Sequence, residues 1–297
     1  MTATATVRIG TRASRLAVAQ ARIAAAAIAP VLGPAEMMPI STRGDVISAK
    51  RPNAGWAASD GQFTRELEQA LLDGRVDLVV HSYKDLPTAP VDGLVIGAVL
   101  ERGDARDCLL TVDGGTLDDL PFGARVGTSS PRRAAQLAAS RADFIAVPIR
   151  GNVETRLARL EAGELDALIL AAAGLDRLEI AVPDHARLPF ELMLPAPAQG
   201  ALAIQARAGD ALLLAALDRV DHGPTRIAVG AERALLRRIG GGCLAPLGAL
   251  GEVTDGILRL RAAFETPEGD HPRAESSGPA SDPARVVADV AQLMAQP

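Results

Sequence analysis

Apolar positions along the chain fall into two patterns, short unbroken runs and runs at helical spacing, which alternate as in an α/β protein. Thr6 to Ile9 reads as a short strand, and Ser14 caps a helix from Arg15 to about Ala29, where Pro30 stops it. From Gln62 to Leu72 the spacing predicts a helix with Phe63, Leu67, Ala70 and Leu71 on one face and Gly74 as its terminator. Val76 to Val80 follows as a buried strand whose carboxyl end opens into His81-Ser82-Tyr83-Lys84-Asp85-Leu86-Pro87. Loops at that end of an open α/β sheet are where ligands bind.

The plan then recurs. Val126-Gly127-Thr128 followed by Ser129 and Ser130 echoes Ile9-Gly10-Thr11 followed by Ser14, and residues 160–169 echo residues 71–80. Two similar lobes explain this economically, although a helix, a glycine and a strand follow one another in many α/β chains. Pro195 to Gly200 reads as an extended crossing segment between lobes, because prolines do not continue a helix. Beyond about Gly223 the pattern changes to a helix (Ile227 to Ile239), a glycine-rich turn and a strand (Ile257 to Phe264). A last helix is started by Asp282-Pro283 and carries Val286, Val287, Val290 and Leu293. The expected fold is therefore α/β, with two similar hinged lobes resembling periplasmic binding proteins and a smaller C-terminal α+β domain. Lobe 1 is assigned residues 1–100 and 200–218, lobe 2 residues 105–194, and the C-terminal domain residues 223–297.

At 297 residues the chain has room for these units at about 100–150 residues each. No apolar run looks long enough for a membrane helix, and Ile23 to Ile28 follows the first strand and sits beside Arg22, so a soluble, cytoplasmic protein without a membrane partner is expected. Two cysteines, Cys108 and Cys243, make neither a disulfide framework nor a metal site. A net charge of −5 with one Trp, one Tyr and five Phe disfavours a nucleic-acid surface. Against that background residues 125–159 carry seven arginines and two acids, a confined basic region suited to a small polyanion.

Three segments there and in the first lobe repeat one design. Ser129-Ser130-Pro131-Arg132-Arg133, Thr11-Arg12-Ala13-Ser14-Arg15 and Arg150-Gly151-Asn152-Val153-Glu154-Thr155-Arg156 each open a helix whose unpaired N–H groups favour an anion, with arginines to grip carboxylates. A solvated helix face competes as an explanation for any one of them. Asp85 follows Lys84, whose charge favours the carboxylate form, and an ionised carboxylate there could stabilise a developing cation; a turn-forming Asp ahead of Pro87 is the plainer alternative. Cys243, between Gly240-Gly241-Gly242 and Pro246, is a thiol presented well enough to carry a covalent group, or a cysteine packed in a tight turn.

Together HSYKDLP (81–87), VGTSSPRR (126–133), IRGNVETRL (149–157), AAAGLDRL (171–178), LPAPAQGALAI (194–204) and GGGCLAPLG (240–248) resemble the porphobilinogen deaminase (hydroxymethylbilane synthase) family, from about Val7 to Phe264. The resemblance implies a monomeric transferase of tetrapyrrole biosynthesis, serving haem, chlorophyll or cobalamin. It implies a dipyrromethane cofactor held to Cys243 by a thioether, on which four molecules of porphobilinogen condense with loss of ammonia before hydrolysis releases hydroxymethylbilane. By the same resemblance Asp85 is catalytic. Lys84, Ser130, Arg132, Arg133, Arg156 and Gly151 hold the cofactor, while Arg12, Ser14, Arg150, Arg177 and Phe63 meet the substrate. One position departs from the family: Asp60 stands where a loop lysine is usual, with Lys50 and Arg51 nearby. That exchange keeps open a non-catalytic, two-lobed protein that binds anions or pyrroles. Hydrolysis by a cysteine nucleophile ranks last, because no histidine accompanies the Cys243 motif.

Overall fold

The apolar runs become strands of three sheets, and the segments at helical spacing cover their faces; the computed structural model describes residues 6–42, 64–240, 245–266 and 269–295. The first sheet contains β1 (Val7–Arg12), β2 (Ala35–Ile40), β3 (Leu78–Ser82), β4 (Leu94–Val99) and β9 (Leu202–Arg207), in the order β2-β1-β3-β9-β4. The second contains β5 (Asp107–Leu110), β6 (Arg125–Gly127), β7 (Ile145–Val147) and β8 (Ala167–Ala171), in the order β5-β8-β6-β7. The third is an antiparallel meander of β10 (Leu247–Thr254), β11 (Ile257–Phe264) and β12 (Arg273–Pro279).

The first two sheets share a plan. In one, β1 lies parallel to β2 and β3, and β3 lies antiparallel to β9. In the other, β6 lies parallel to β7 and β8, and β8 lies antiparallel to β5. The sequence echoes fall on matching strands, β1 with β6 and β3 with β8. The architecture is α/β with two similar lobes and a smaller α+β unit. The chain leaves the first sheet after β4 and returns to it as β9, so two segments cross between the lobes.

Eight helices of four or more residues are described: α1 (Arg15–Leu32), α2 (Arg65–Leu72), α3 (Pro131–Ser140), α4 (Val153–Glu161), α5 (Ala172–Arg177), α6 (Ala211–Asp218), α7 (Gly223–Ile239) and α8 (Pro283–Met294). Alternation along β3 sends Leu78 and Val80 towards α1 and α6, and Val79 towards α2, so both faces of the sheet are dry. Along β8, Ala167 and Ile169 pack with Leu137 of α3, while Leu168 and Leu170 pack with Leu160 and Cys108. In the third unit Leu258 and Leu260 meet Leu235 of α7 and Val286, Val287 and Val290 of α8.

Several expectations change. Pro30 does not stop α1 but lies inside its last turn, where few carbonyls are denied a donor, and Gly33 (φ 78°) closes the helix by donating to Ala29 O. At 18 residues and a mean hydropathy of 1.4, α1 is long and apolar enough by composition to cross a membrane. Here it instead packs on the first sheet, with Ala21, Ala24 and Ile28 fully buried. β3 starts at Leu78, two residues late, because the amides of Arg75 and Val76 are drawn to Ala70 O at the end of α2. α7 starts four residues early, its cap supplied by the ring of His222, which accepts from Thr225 N. α2 is described only from Arg65, so Gln62 and Phe63 lie outside the described residues. Leu293 is 45 % exposed rather than core.

Candidate active site

Strand ends bring the candidate residues together. β3 runs into a single 3₁₀ turn, Tyr83–Asp85, held by Tyr83 N donating to Ala201 O at 3.0 Å. The turn leaves Asp85 exposed and Lys84 half-buried beside it. Just before it, Gln20 of α1 pairs with Ser82 at 2.8 Å, and His81 pairs with Gln205 of β9 at 3.0 Å. Burial, with Arg12 nearby, pushes His81 down to about 4 against the pull of Gln205, so this imidazole is neutral at pH 7. β1 ends at Arg12, and the Ser14 hydroxyl caps α1 by accepting from Ala17 N.

The second lobe is built alike. Ser129 Oγ donates to Ile149 O at 2.7 Å and accepts from Ile149 N at 2.8 Å, stapling the chain after β6 to the chain after β7. Ser130 caps α3 by accepting from Arg133 N, and Asn152 caps α4 by accepting from Thr155 N. Gly151 has φ +106°, and a Cβ there would come within 2.9 Å of Thr155, so this approach of backbone to helix requires glycine. The two lobes meet at these helix ends, where Arg15 on α1 pairs with Glu154 on α4 at 3.0 Å. That pair is half open to water and holds the lobes only weakly.

Behind the turn lies a buried network that the sequence did not reveal. Asp107, fully buried at the start of β5, has Arg132 Nη1 2.8 Å from its Oδ2, while Arg133 Nη2 donates to its Oδ1 at 2.6 Å. Arg132 also donates to Leu194 O and Arg133 to Ile169 O. Gln199, fully buried on the second crossing segment, links the lobes: its amide donates to Asp107 Oδ1 at 2.9 Å, and its carbonyl accepts from Lys84 Nζ at 3.2 Å. Burial alone would raise the Asp107 carboxyl, yet Arg132 and Arg133 outweigh it and hold the group well below the usual carboxylate range.

Arg132 and Arg133 were expected to grip carboxylates at a helix start, with a solvated helix face as the alternative, and neither reading anticipated a partner inside the protein. They are 3 % and 7 % exposed and already engaged by Asp107 and backbone carbonyls. The buried Nε of each has no hydrogen-bond partner. Arg156 spends its Nε on Gly151 O at 3.0 Å, and Arg177 donates to Gly200 O on the crossing segment. Burial lowers both guanidiniums to about 10, with Arg133 adding to the effect on Arg156. Cys243 and Phe63, like Asp60, Lys50 and Arg51, lie outside the described residues.

The balance of charge still favours an anion. Lys84 feels Asp85, Arg133, Asp107 and Arg132, and Arg156 feels Arg133, Asp85 and Arg150, so five cations gather around Asp85 and Asp107. Cations gathered in this way at helix ends fit a group that carries several carboxylates. Burial brings Lys84 down to about 8, with Arg133 and Arg132 pushing the same way and Asp85 and Asp107 opposing. Lys84 is therefore protonated below about pH 8 and loses its charge above it. We expect uptake of pyrrole by the cofactor-free protein to fall as pH rises through 8, in a mass-spectrometric time course from pH 7 to 9.5, and Lys84→Arg to abolish that fall. A flat profile for the unaltered protein would remove Lys84 from anion capture.

Comparison with known proteins gives a consistent picture. Residues 7–215 match the family model described as porphobilinogen deaminase, dipyromethane cofactor binding domain, and residues 226–296 match porphobilinogen deaminase, C-terminal domain. The porphobilinogen deaminase of Desulforudis audaxviator is 48 % identical over 281 residues, covering 93 % of this chain and 90 % of the relative. That of Leifsonia xyli is 48 % identical over 268 residues (89 % and 80 %), and that of Thermobifida fusca 47 % over 278 residues (92 % and 86 %). Among solved structures, the periplasmic aliphatic sulphonate binding protein of Escherichia coli aligns with a TM-score of 0.39 and 14 % identity, over 79 % of this chain and 70 % of that one.

Proposed function

Because this chain belongs to the porphobilinogen deaminase family, we propose that Asp85 is its catalytic carboxylate and that the cation-rich network around it holds the acidic side chains of the pyrroles. The activity is that of a hydroxymethylbilane synthase, a transferase of tetrapyrrole biosynthesis. It joins four molecules of porphobilinogen head to tail with loss of ammonia and releases hydroxymethylbilane. The family match favours this enzyme over the non-catalytic binding protein that Asp60 left open.

The observation that carries the residue assignment is the exposed Asp85 standing within the field of Lys84 and Arg156, while Asp107 offsets one of the two charges of the arginines behind it. The dipyrromethane cofactor supplies a tethered pyrrole end as the acceptor for each new unit. Its carboxylates suit Lys84, Ser130, Arg132, Arg133, Arg156 and the backbone at Gly151. For the two arginines that means contact through the donors Asp107 leaves over. Arg12, Ser14, Arg150, Arg177 and Phe63 are assigned to the incoming porphobilinogen. As ammonia departs, the substrate ring takes on positive character, and the Asp85 carboxylate stabilises it close to the pyrrole N–H groups. The same carboxylate is placed to accept the proton that the coupled ring must lose.

Cys243 is proposed as the attachment point, four positions beyond the end of α7 in the sequence. Three sheets, with two crossing segments between the first and second, support hinged lobes at 1–100 with 200–218 and at 105–194, and a third unit at 223–297. The protein is further proposed to act in the cytoplasm as a monomer, with neither nucleic acid nor membrane as a partner.

The assignment of Cys243 is tested by intact mass, using unaltered protein and Cys243→Ser from a host that makes porphobilinogen. The expected result is an excess equal to two porphobilinogens less two ammonias in the unaltered protein and none in the variant. An unaltered protein without that excess after incubation with porphobilinogen overturns the cofactor reading, and a variant that keeps it overturns Cys243 as the attachment point.

A further inference from the structure

α7 ends at Ile239, four positions before Cys243 in the sequence, and ten residues before that cysteine Arg233 reaches back to the turn that carries Asp85. Its side chain, 7 % exposed, donates through Nη1 to Tyr83 O at 3.2 Å and Leu86 O at 2.9 Å, and through Nη2 to Pro87 O at 2.7 Å. The guanidinium carbon also lies 4.4 Å from the centroid of the Tyr83 ring. Those carbonyls stand on both sides of Lys84 and Asp85.

The turn is three residues long, and its own closing bond, Leu86 N to Tyr83 O, is 3.4 Å. A short 3₁₀ turn with one long bond has several nearby conformations, and a planar cation bonded to the carbonyl at its start and to the two that follow it selects one. The helix offering that cation is itself anchored. Adjacent Glu232, fully buried, binds Arg102 on the first crossing segment at 2.6 Å and accepts from the backbone N–H groups of Ala198 and Gly251.

We propose that Arg233 is a positioning residue for the reaction: it holds the Lys84–Asp85 turn in a fixed orientation to the helix that leads to Cys243, so that Asp85 keeps its aim as pyrroles are added. The inference rests on the catalytic reading of Asp85. Lysine at 233 keeps the charge but cannot spread it over three carbonyls or stack on Tyr83, so it restores part of the function; glutamine restores less.

The test uses holoenzyme, with cofactor content fixed by intact mass and rates given per cofactor-bearing molecule. Arg233→Gln is expected to keep the cofactor, lower kcat about 10- to 100-fold and change KM for porphobilinogen less than threefold, with Arg233→Lys intermediate. Arg233→Gln combined with Asp85→Asn should be no slower than Asp85→Asn alone, because an arginine that only aims a carboxylate has nothing to aim once the charge is gone. Loss of stability or cofactor content with an unchanged kcat per holoenzyme overturns the proposal, leaving Arg233 a purely structural tie. Multiplicative losses in the double variant overturn it as well. Should Arg233→Gln not fold, Arg233→Lys decides by the same kcat and KM criteria. Unchanged turnover in Asp85→Asn alone refutes the reading of Asp85 instead, whatever Arg233 does.

Discussion

Asp85→Asn is expected to lower steady-state formation of hydroxymethylbilane by about two to three orders of magnitude, the scale of losing one preorganised electrostatic contact to a transition state, while KM for porphobilinogen changes little. Asparagine keeps the size and hydrogen-bonding reach of aspartate and removes only its charge. Asp85 is exposed on its turn and has no load in the core, so the substitution leaves packing alone. The charge matters because Lys84 and Arg156 make this a positive site, suited to binding acidic pyrroles but hostile to a substrate that turns cationic as ammonia leaves. On the proposed assignment one carboxylate among those cations resolves the conflict, with the lysine and arginines serving the acetate and propionate groups and Asp85 the ring. Cofactor content measured by mass and turnover measured by product absorbance separate the two duties. Turnover of Asp85→Asn at the rate of the unaltered enzyme would refute the assignment.

The features legible in the sequence were those with local signals. Ser14, Asn152 and Asp282 each announce a helix start by their own type and position, and each caps the expected helix by accepting a backbone N–H. The strand echoes were legible because each lobe repeats a contiguous segment. The second layer of the site was not. Asp107 meets Arg133 across 26 residues, Gln199 meets Lys84 across 115, and Arg233 meets Tyr83 across 150. Nothing local marks such partners: Asp107 reads as one charge in the run Glu101 to Asp107, and Arg233 as one more cation on an amphipathic helix. The burial of Arg132 and Arg133 on Asp107 was illegible for the same reason. Their partner lies on a strand that reaches them only once the sheet has formed.

Replacing Asp107 is the second large effect expected. In Asp107→Asn two guanidiniums, 3 % and 7 % exposed, keep their burial and lose their shared counter-ion, a change that costs about 3–5 kcal/mol in buried ion pairs. For a chain of this size that corresponds to a fall of roughly 10 °C in the unfolding midpoint, read by calorimetry at pH 7. The sign of the pH dependence follows from the lowered carboxyl. Asp107 is ionised in the folded protein at acidities that protonate it in the unfolded chain, so its contribution is complete above the usual carboxylate range and fades as pH falls below it. The unaltered protein and the variant should therefore differ most near neutrality and converge in acid. Function should suffer beyond stability, because Asp107 also raises the pKa of Lys84. Without it the Lys84 charge is lost at lower pH, and the fall in pyrrole uptake expected through pH 8 moves towards neutrality. Equal unfolding midpoints at pH 7 for the variant and the unaltered protein would show that Arg132 and Arg133 find their balance elsewhere. An unmoved pH profile would show that Lys84 does not sense Asp107 through Gln199.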